Sequence, residues 1–253
     1  MKEELSTILT GRNLITFPSV NSTNRELAKL FFERKLPEGS ALRASFQTGG
    51  RGQGVSQWHS EQEKNLLVSF LFEPHFLSAK KIFLFNKAMA LGVFDFLHSI
   101  VADVKIKWSN DIYVRDKKIC GMLIENSLRG MSIQYSIVGI GLNINQEIFP
   151  PDIPNPTSLK IITGKNFSID DCYVSLCNLI EGRYLQLKAG HEEKINHDYL
   201  SVLYRYNEMY RYEDVQGRFI GKIKDVDEEG RLLISKEGGK EERYMIKELK
   251  FII

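Results

Sequence analysis

The chain has 253 residues, 43% hydrophobic and 26% charged, with a formal net charge of +2. That length and balance suit one large folded unit with a small appendage, and the near-neutral charge excludes a field strong enough to make nucleic acid or a membrane surface the main partner. Three cysteines (Cys120, Cys172 and Cys177) form no CxxC pair, nothing resembles a signal peptide, and every long apolar run is interrupted by Lys, Asp or Asn, so the chain reads as cytoplasmic, without disulfides, zinc or a membrane span.

In chain order, Asn21-Ser22-Thr23-Asn24 supplies helix-cap residues ahead of Leu27, Leu30 and Phe31, which recur at helical spacing. Ala41 to Phe46 reads as a short strand entering Gly49-Gly50-Arg51-Gly52-Gln53-Gly54, and Asn65 to Phe72 as a buried strand. Ser78 opens a helical pattern through Ile82, Phe85, Met89, Val93 and Phe96. Val104 to Trp108, Ile112 to Val114, Ile119 to Glu125 and Ile133 to Ile140 read as strands, with a polar turn at Arg115 to Lys118. A proline-rich loop (Pro150 to Pro156) precedes a helical region from Ile169 to about Tyr206, broken near Gly190. After Tyr212 short alternating segments, Arg218 to Lys224, Arg231 to Ser235 and Glu242 to Ile246, predict a small β-barrel or meander.

Four segments carry chemical potential. In Gln47 to Gly54, four glycines in six positions let backbone approach a ligand, and Arg51 adds a cation able to grip a carboxylate or phosphate. The stretch is neither a P-loop nor a GxGxxG helix opening. In Lys105 to Asp111, Lys105 and Lys107 share one strand face and Asn110-Asp111 stand at its end. Lys117-Lys118 precedes Ile119-Cys120-Gly121, and Gly139-Ile140-Gly141-Leu142-Asn143-Ile144-Asn145 ends a strand. Each alone also fits an ordinary turn.

Together, and in this order, they resemble the biotin–protein ligase family. The matching positions are Ser22-Thr23-Asn24, Gln47 with Gly50-Arg51-Gly52 and Trp58, Lys107-Trp108-Ser109-Asn110-Asp111, Lys118 to Glu125, Gly139 to Asn145 and Thr157-Ser158-Leu159. The resemblance implies an α+β fold: a mixed sheet packed with helices, the class II synthetase-like catalytic domain over 1–210, and a small SH3-like β-barrel over 211–253. It implies activation of biotin by ATP to biotinyl-5′-AMP, then transfer to a lysine of a biotin carboxyl carrier protein or domain. ATP with Mg²⁺ is the co-substrate and no tightly bound cofactor is expected.

By that resemblance Ser22, Thr23, Asn24, Gln47, Arg51, Gly52, Gln53 and Lys107 bind biotin. Gly50, Arg51, Trp58, Lys118, Asn143 and Asn145 bind ATP and the adenylate, Asp111 is the Mg²⁺ candidate, and Arg51, Lys107 and Lys118 serve catalysis. Trp58 and Trp108 are available as apolar wall, although core packing explains a tryptophan equally well. Met1 to Asn21 is too short for the helix-turn-helix module of the bifunctional members, so DNA is not an expected partner. Monomer and homodimer both stay open.

Four positions depart from the family pattern. Val55 and Ser56 stand in the glycine loop where a glycine and an arginine or asparagine are usual, Ser109 replaces a proline and is expected to loosen its turn, and Cys120 replaces Gly or Ala. A nucleophilic role for Cys120 is disfavoured because no histidine is near it in sequence. Three alternatives meet opposing residues. A lipoate ligase or octanoyl transferase is opposed by Gln47 with the Gly50-Arg51-Gly52 motif, and a non-catalytic biotin binder by the retained Lys107, Lys118 and Asp111. An RNA adaptor is opposed by the acidic turn Asp225 to Glu229.

Overall fold

The computed structural model describes residues 4–54 and 56–252. Seven strands form one mixed sheet in the order β1 (Leu14–Phe17), β2 (Ala41–Ala44), β3 (Leu66–Phe72), β7 (Ser132–Leu142), β6 (Lys117–Arg129), β5 (Asp111–Val114) and β4 (Val104–Lys107). Only β1 and β2 run parallel; the other neighbours are antiparallel.

β3 explains why its sequence shows no alternation. Leu66, Val68, Phe70 and Phe72 enter the larger core, while Leu71 joins Leu27, Leu30, Leu42 and Ile137 under α1 (Thr23–Arg34). A strand covered on both faces is apolar throughout. On the larger-core face lies α2 (Ile82–His98), buried on nearly all sides between the sheet, α4 (Ile169–Lys188) and α5 (Glu192–Ser201). α4 is started by the Ser168 hydroxyl, which accepts from the Asp171 N–H at 3.2 Å.

The helical region expected to Tyr206 is two helices, parted at Gly190 in the left-handed region (φ 83°) and ending at Ser201. The sequence reading missed β1, the short helix α3 (Leu159–Thr163) and two tail strands, β8 (Met209–Asp214) and β12 (Lys250–Phe251). β8 carries the charged sequence MYRYED without clean alternation, and β12 is two residues long, so both exist through pairing.

With β9 (Gly217–Val226), β10 (Leu232–Lys236) and β11 (Glu241–Tyr244) they make a five-stranded antiparallel sheet ordered β11-β10-β9-β8-β12, in agreement with the SH3-like expectation. It docks through its β9–β10 turn. The Trp108 indole donates to Gly230 O (2.9 Å), and the buried Lys87 ammonium donates to Val226 O (2.7 Å) and Asn196 Oδ1 (2.8 Å). Phe219 and Tyr244 stack on one another inside the tail, centroids 6.1 Å apart, while Leu249 and Phe251 turn toward the larger unit.

Candidate active site

Sheet register assembles the site. Asp111 pairs with Lys107 and Gly121, and Gly121 pairs with Gly141, which places these residues in a row on the sheet face that carries α1. Lys118, three residues before Gly121, should face the other way by strict alternation. A bulge between Ile112 and Tyr113 pairs Tyr113 with Lys118 and Ile112 with Cys120, so Ile119 is the extra residue. That single insertion brings Lys118 to the same cavity as Gly121.

The cavity has a volume of about 390 Å³. Part of its lining is uncharged hydrogen-bonding groups. Ser22 is the N-cap residue of α1 but makes no side-chain capping bond, and its buried side chain lines the cavity. Gln47 Oε1 accepts from the Thr23 N–H (2.8 Å) and Oγ1 (3.1 Å), and the Ser69 hydroxyl donates to Asn24 Oδ1 (2.6 Å). Asn24 Nδ2 in turn donates to Glu125 Oε2 (2.8 Å).

Arg51, Lys107 and Lys118 line the same cavity, each beside a group that orients it. Arg51 meets Glu125 Oε1 at 3.0 Å, and Lys118 meets Asp111 Oδ1 at 2.8 Å. Among the described residues no carboxylate lies within ion-pair distance of Lys107. Its Nζ donates to Tyr113 Oη (3.2 Å) and lies over the rings of Tyr113 and Phe251. Burial pulls the Lys107 pKa below the ordinary lysine range, Lys118 and Arg205 lower it further, and Asp111 opposes them.

Trp58 lies flat against β6 and β7. A Cβ at Gly141 would stand 2.4 Å from its Cε2, and one at Gly121 2.9 Å from its Cζ3, so this pair of glycines forms the seat of the indole. Trp108 is 7% exposed and lines the cavity while its N–H is spent on Gly230.

Of the residues singled out from sequence, Ser22, Thr23, Asn24, Gln47, Arg51, Gly52, Gln53, Trp58, Lys107, Asp111 and Lys118 come together on this cavity. Three do not. Gly50 lies behind it, against Trp58 O. The Asn143 amide donates to Thr157 O (2.9 Å), and the Asn145 side chain both donates to Phe167 O and accepts from Phe167 N–H. These two asparagines tie the loop after β7 rather than facing the cavity.

The departures resolve unevenly. Val55 lies outside the described residues. Across it, Gly52 N–H donates to Ser56 O (2.8 Å). The Ser109 turn is tied rather than loosened, because its hydroxyl donates to Asn110 Oδ1 (2.6 Å) and the Asn110 amide donates to Met122 O. Cys120 is fully buried, and burial drives its thiol pKa far above the ordinary range, the opposite of an activated nucleophile.

The motifs matched in the sequence end at Leu159, but the cavity lining does not. The tail contributes Ile246, Lys247, Leu249, Lys250 and Phe251 to the same cavity. Lys247 approaches the glycine loop so closely that a Cβ at Gly54 would stand 2.1 Å from its Nζ. No motif signals this, since contact across more than a hundred residues leaves no local pattern.

A family model described as biotin/lipoate A/B protein ligase matches residues 16–143, just over half of the chain. The bifunctional ligase/repressor BirA of Bacillus subtilis is 28% identical over 245 residues, covering 95% of this chain and 74% of its own length. The biotin–[acetyl-CoA-carboxylase] ligase of Mycobacterium tuberculosis is 24% identical over 233 residues, 90% of this chain and 85% of its own. Among solved structures, the biotin protein ligase of Aquifex aeolicus in complex with biotin and ATP superposes with a TM-score of 0.78 at 28% identity, covering 95% of this chain and all of that one. The chain belongs to the biotin/lipoate A/B protein ligase family.

Proposed function

We propose that the protein activates biotin with ATP and transfers it to a lysine of a biotin carboxyl carrier protein or domain. The observation that carries this reading is the mixed lining of one cavity: neutral hydrogen-bonding side chains share it with the cations Arg51, Lys107 and Lys118 of the larger unit and Lys247 and Lys250 of the tail. Biotin has that profile, with a neutral ureido ring, an apolar body and a carboxylate. The dithiolane of lipoate offers no hydrogen bonds to the buried Ser22 hydroxyl or to the Gln47 amide, a difference that favours a ureido ring.

In the first half-reaction a biotin carboxylate oxygen attacks the α-phosphorus of ATP, and the bond from that phosphorus to the bridging oxygen of pyrophosphate breaks. Two anions must meet. Arg51, Lys107 and Lys118, already held at the cavity beside Glu125, Tyr113 and Asp111, offset the repulsion. Lys118 is assigned to the α-phosphate and Trp58 to the adenylate.

Mg²⁺ enters with the triphosphate. Among the described residues no group of three His, Cys, Asp or Glu could cage an ion, and Asp111 supplies one carboxylate, which suits an ion carried mainly by phosphates and water. Phosphate oxygens that engage Lys118 would free Asp111 for that ion.

In the second half-reaction the neutral acceptor amine attacks the acyl carbon of the mixed anhydride, and AMP leaves with the bonding pair. Nearby cations lower the pKa of an approaching lysine and favour its neutral form. No enzyme nucleophile is required. Residues 1–210 are assigned to the ligase unit and 211–253 to the small β unit, whose first strand β8 begins two residues ahead of that boundary, at Met209. No described helix is long and apolar enough to cross a membrane.

The test needs no acceptor. Protein with MgATP and biotin should release pyrophosphate and retain biotinyl-5′-AMP. Adenylation of lipoate or octanoate in place of biotin would refute the substrate assignment.

A further inference from the structure

Lys107 is held between two rings that come from different parts of the chain. Its Nζ lies 4.8 Å from the Tyr113 ring centroid and 5.0 Å from that of Phe251. Tyr113 belongs to β5 beside the lysine, whereas Phe251 belongs to the last strand of the C-terminal sheet. We infer that Phe251 is a positioning residue for the adenylation step: it closes an aromatic clamp on the Lys107 ammonium and couples docking of the C-terminal sheet to formation of the acyl-adenylate.

Contacts of the ring and of its strand fix Phe251. Its strand pairs with β8 at Tyr212, and the ring meets Tyr212 edge-on (5.2 Å) and Tyr204 at a tilt (6.3 Å). The next carbonyl, that of Ile252, accepts from Arg205 Nη1 (2.9 Å), whose guanidinium lies over Tyr204 and Tyr210. The Tyr204 hydroxyl is itself hydrogen-bonded to Asp116, in the β5–β6 turn of the larger sheet. Phe251 therefore sits where it does only while the tail is docked.

A lysine side chain has four rotatable bonds and a strongly hydrated head. The Phe251 ring and the Tyr113 hydroxyl, which accepts from Nζ at 3.2 Å, restrict those rotamers and displace water from the ammonium, so less reorganisation is left when carboxylate and α-phosphate arrive. The depressed pKa of Lys107 agrees with that loss of water. Arg51 and Lys118 are oriented by carboxylates of the larger unit instead.

This inference rests on the reading of Lys107 as a cation at the reacting groups, and the experiment separates the two. The full chain is assayed for pyrophosphate release and biotinyl-5′-AMP with biotin and MgATP, beside thermal unfolding. Phe251→Leu and Phe251→Met, apolar but ringless, should each lower kcat by about threefold to thirtyfold, the worth of a partly desolvated cation–ring contact. Phe251→Tyr should stay within about twofold of wild type. Combined with Lys107→Ala, the Leu substitution should have no further effect on kcat, while its shift in Tm is the same in both backgrounds. Wild-type kcat in the ringless variants, or an equal loss in the Lys107→Ala background, would reduce Phe251 to packing and overturn the inference alone. A wild-type rate in Lys107→Ala would overturn the parent reading and this one together.

Discussion

Gly141→Ala tests the indole seat with the smallest available perturbation, one methyl group. The backbone at Gly141 is not in the left-handed region, so alanine can adopt it, and the added Cβ meets Trp58 at 2.4 Å from Cε2, 2.7 Å from Nε1 and 2.8 Å from Cδ2. Ordinary contact begins near 3.4 Å, so the ring must withdraw by about 1 Å. It is half-buried and belongs to a loop, whereas the strand is locked between β3 and β6. Removing a glycine's backbone freedom is worth about 0.5–1 kcal/mol in stability, which offsets part of the clash, so Tm should move by no more than a few degrees. A 1 Å misplacement of a group that positions substrate costs on the order of tenfold to a hundredfold in rate. The assay is pyrophosphate release against ATP concentration, with indole fluorescence as the structural readout. Trp58 and Trp108 are the two tryptophans, and Trp108→Phe isolates the signal of Trp58. Gly182→Ala, where a Cβ meets nothing within 4 Å, is the control that should leave adenylation unchanged. A folded Gly141→Ala protein with wild-type use of ATP would show that the position of Trp58 is irrelevant to the nucleotide.

Lys107→Ala should cut adenylation by roughly tenfold to a hundredfold, from the 1.5–3 kcal/mol of a charge-assisted hydrogen bond, with Lys105→Ala near wild type; equal losses would indicate a general charge effect. Cys120→Ala should retain most of the activity at a modest cost in stability, and acyl group trapped on Cys120 by mass spectrometry would contradict the mechanism. Burial lowers the Lys87 pKa from 10.5 to about 8 in the folded protein, against the opposing pull of Asp225, Asp227 and Glu228. Between those values the unfolded chain holds more protons, so this group's contribution makes the protein more stable as pH rises. From pH 8 to 9.5 the gain is about 1.5 kcal/mol. Urea unfolding at both pH values should show Lys87→Met lacking that increment; identical pH slopes would mean Lys87 is not desolvated as the structure has it.

The sequence alone determined the chemical inventory and most of the elements that hold it. The apolar run of β3, the helical periodicity of α1 and α2, and the motif series from Ser22 to Lys118 are local patterns, written within a few residues of one another. The exclusion of Cys120 as a nucleophile also needed only chemistry. What tertiary structure decided was orientation and partnership. The bulge at Ile119 turned Lys118 toward the cavity, against the alternation a strand pattern would predict. Asn143 and Asn145, identical in type to ligand-binding amides, were spent on the backbone of Thr157 and Phe167. Phe251 and Lys247 reached the cavity from the other end of the chain. A strand records which side chains alternate, but a bulge, a loop tie or a docked tail depends on what the chain meets after folding, and that information is not carried by neighbours in sequence.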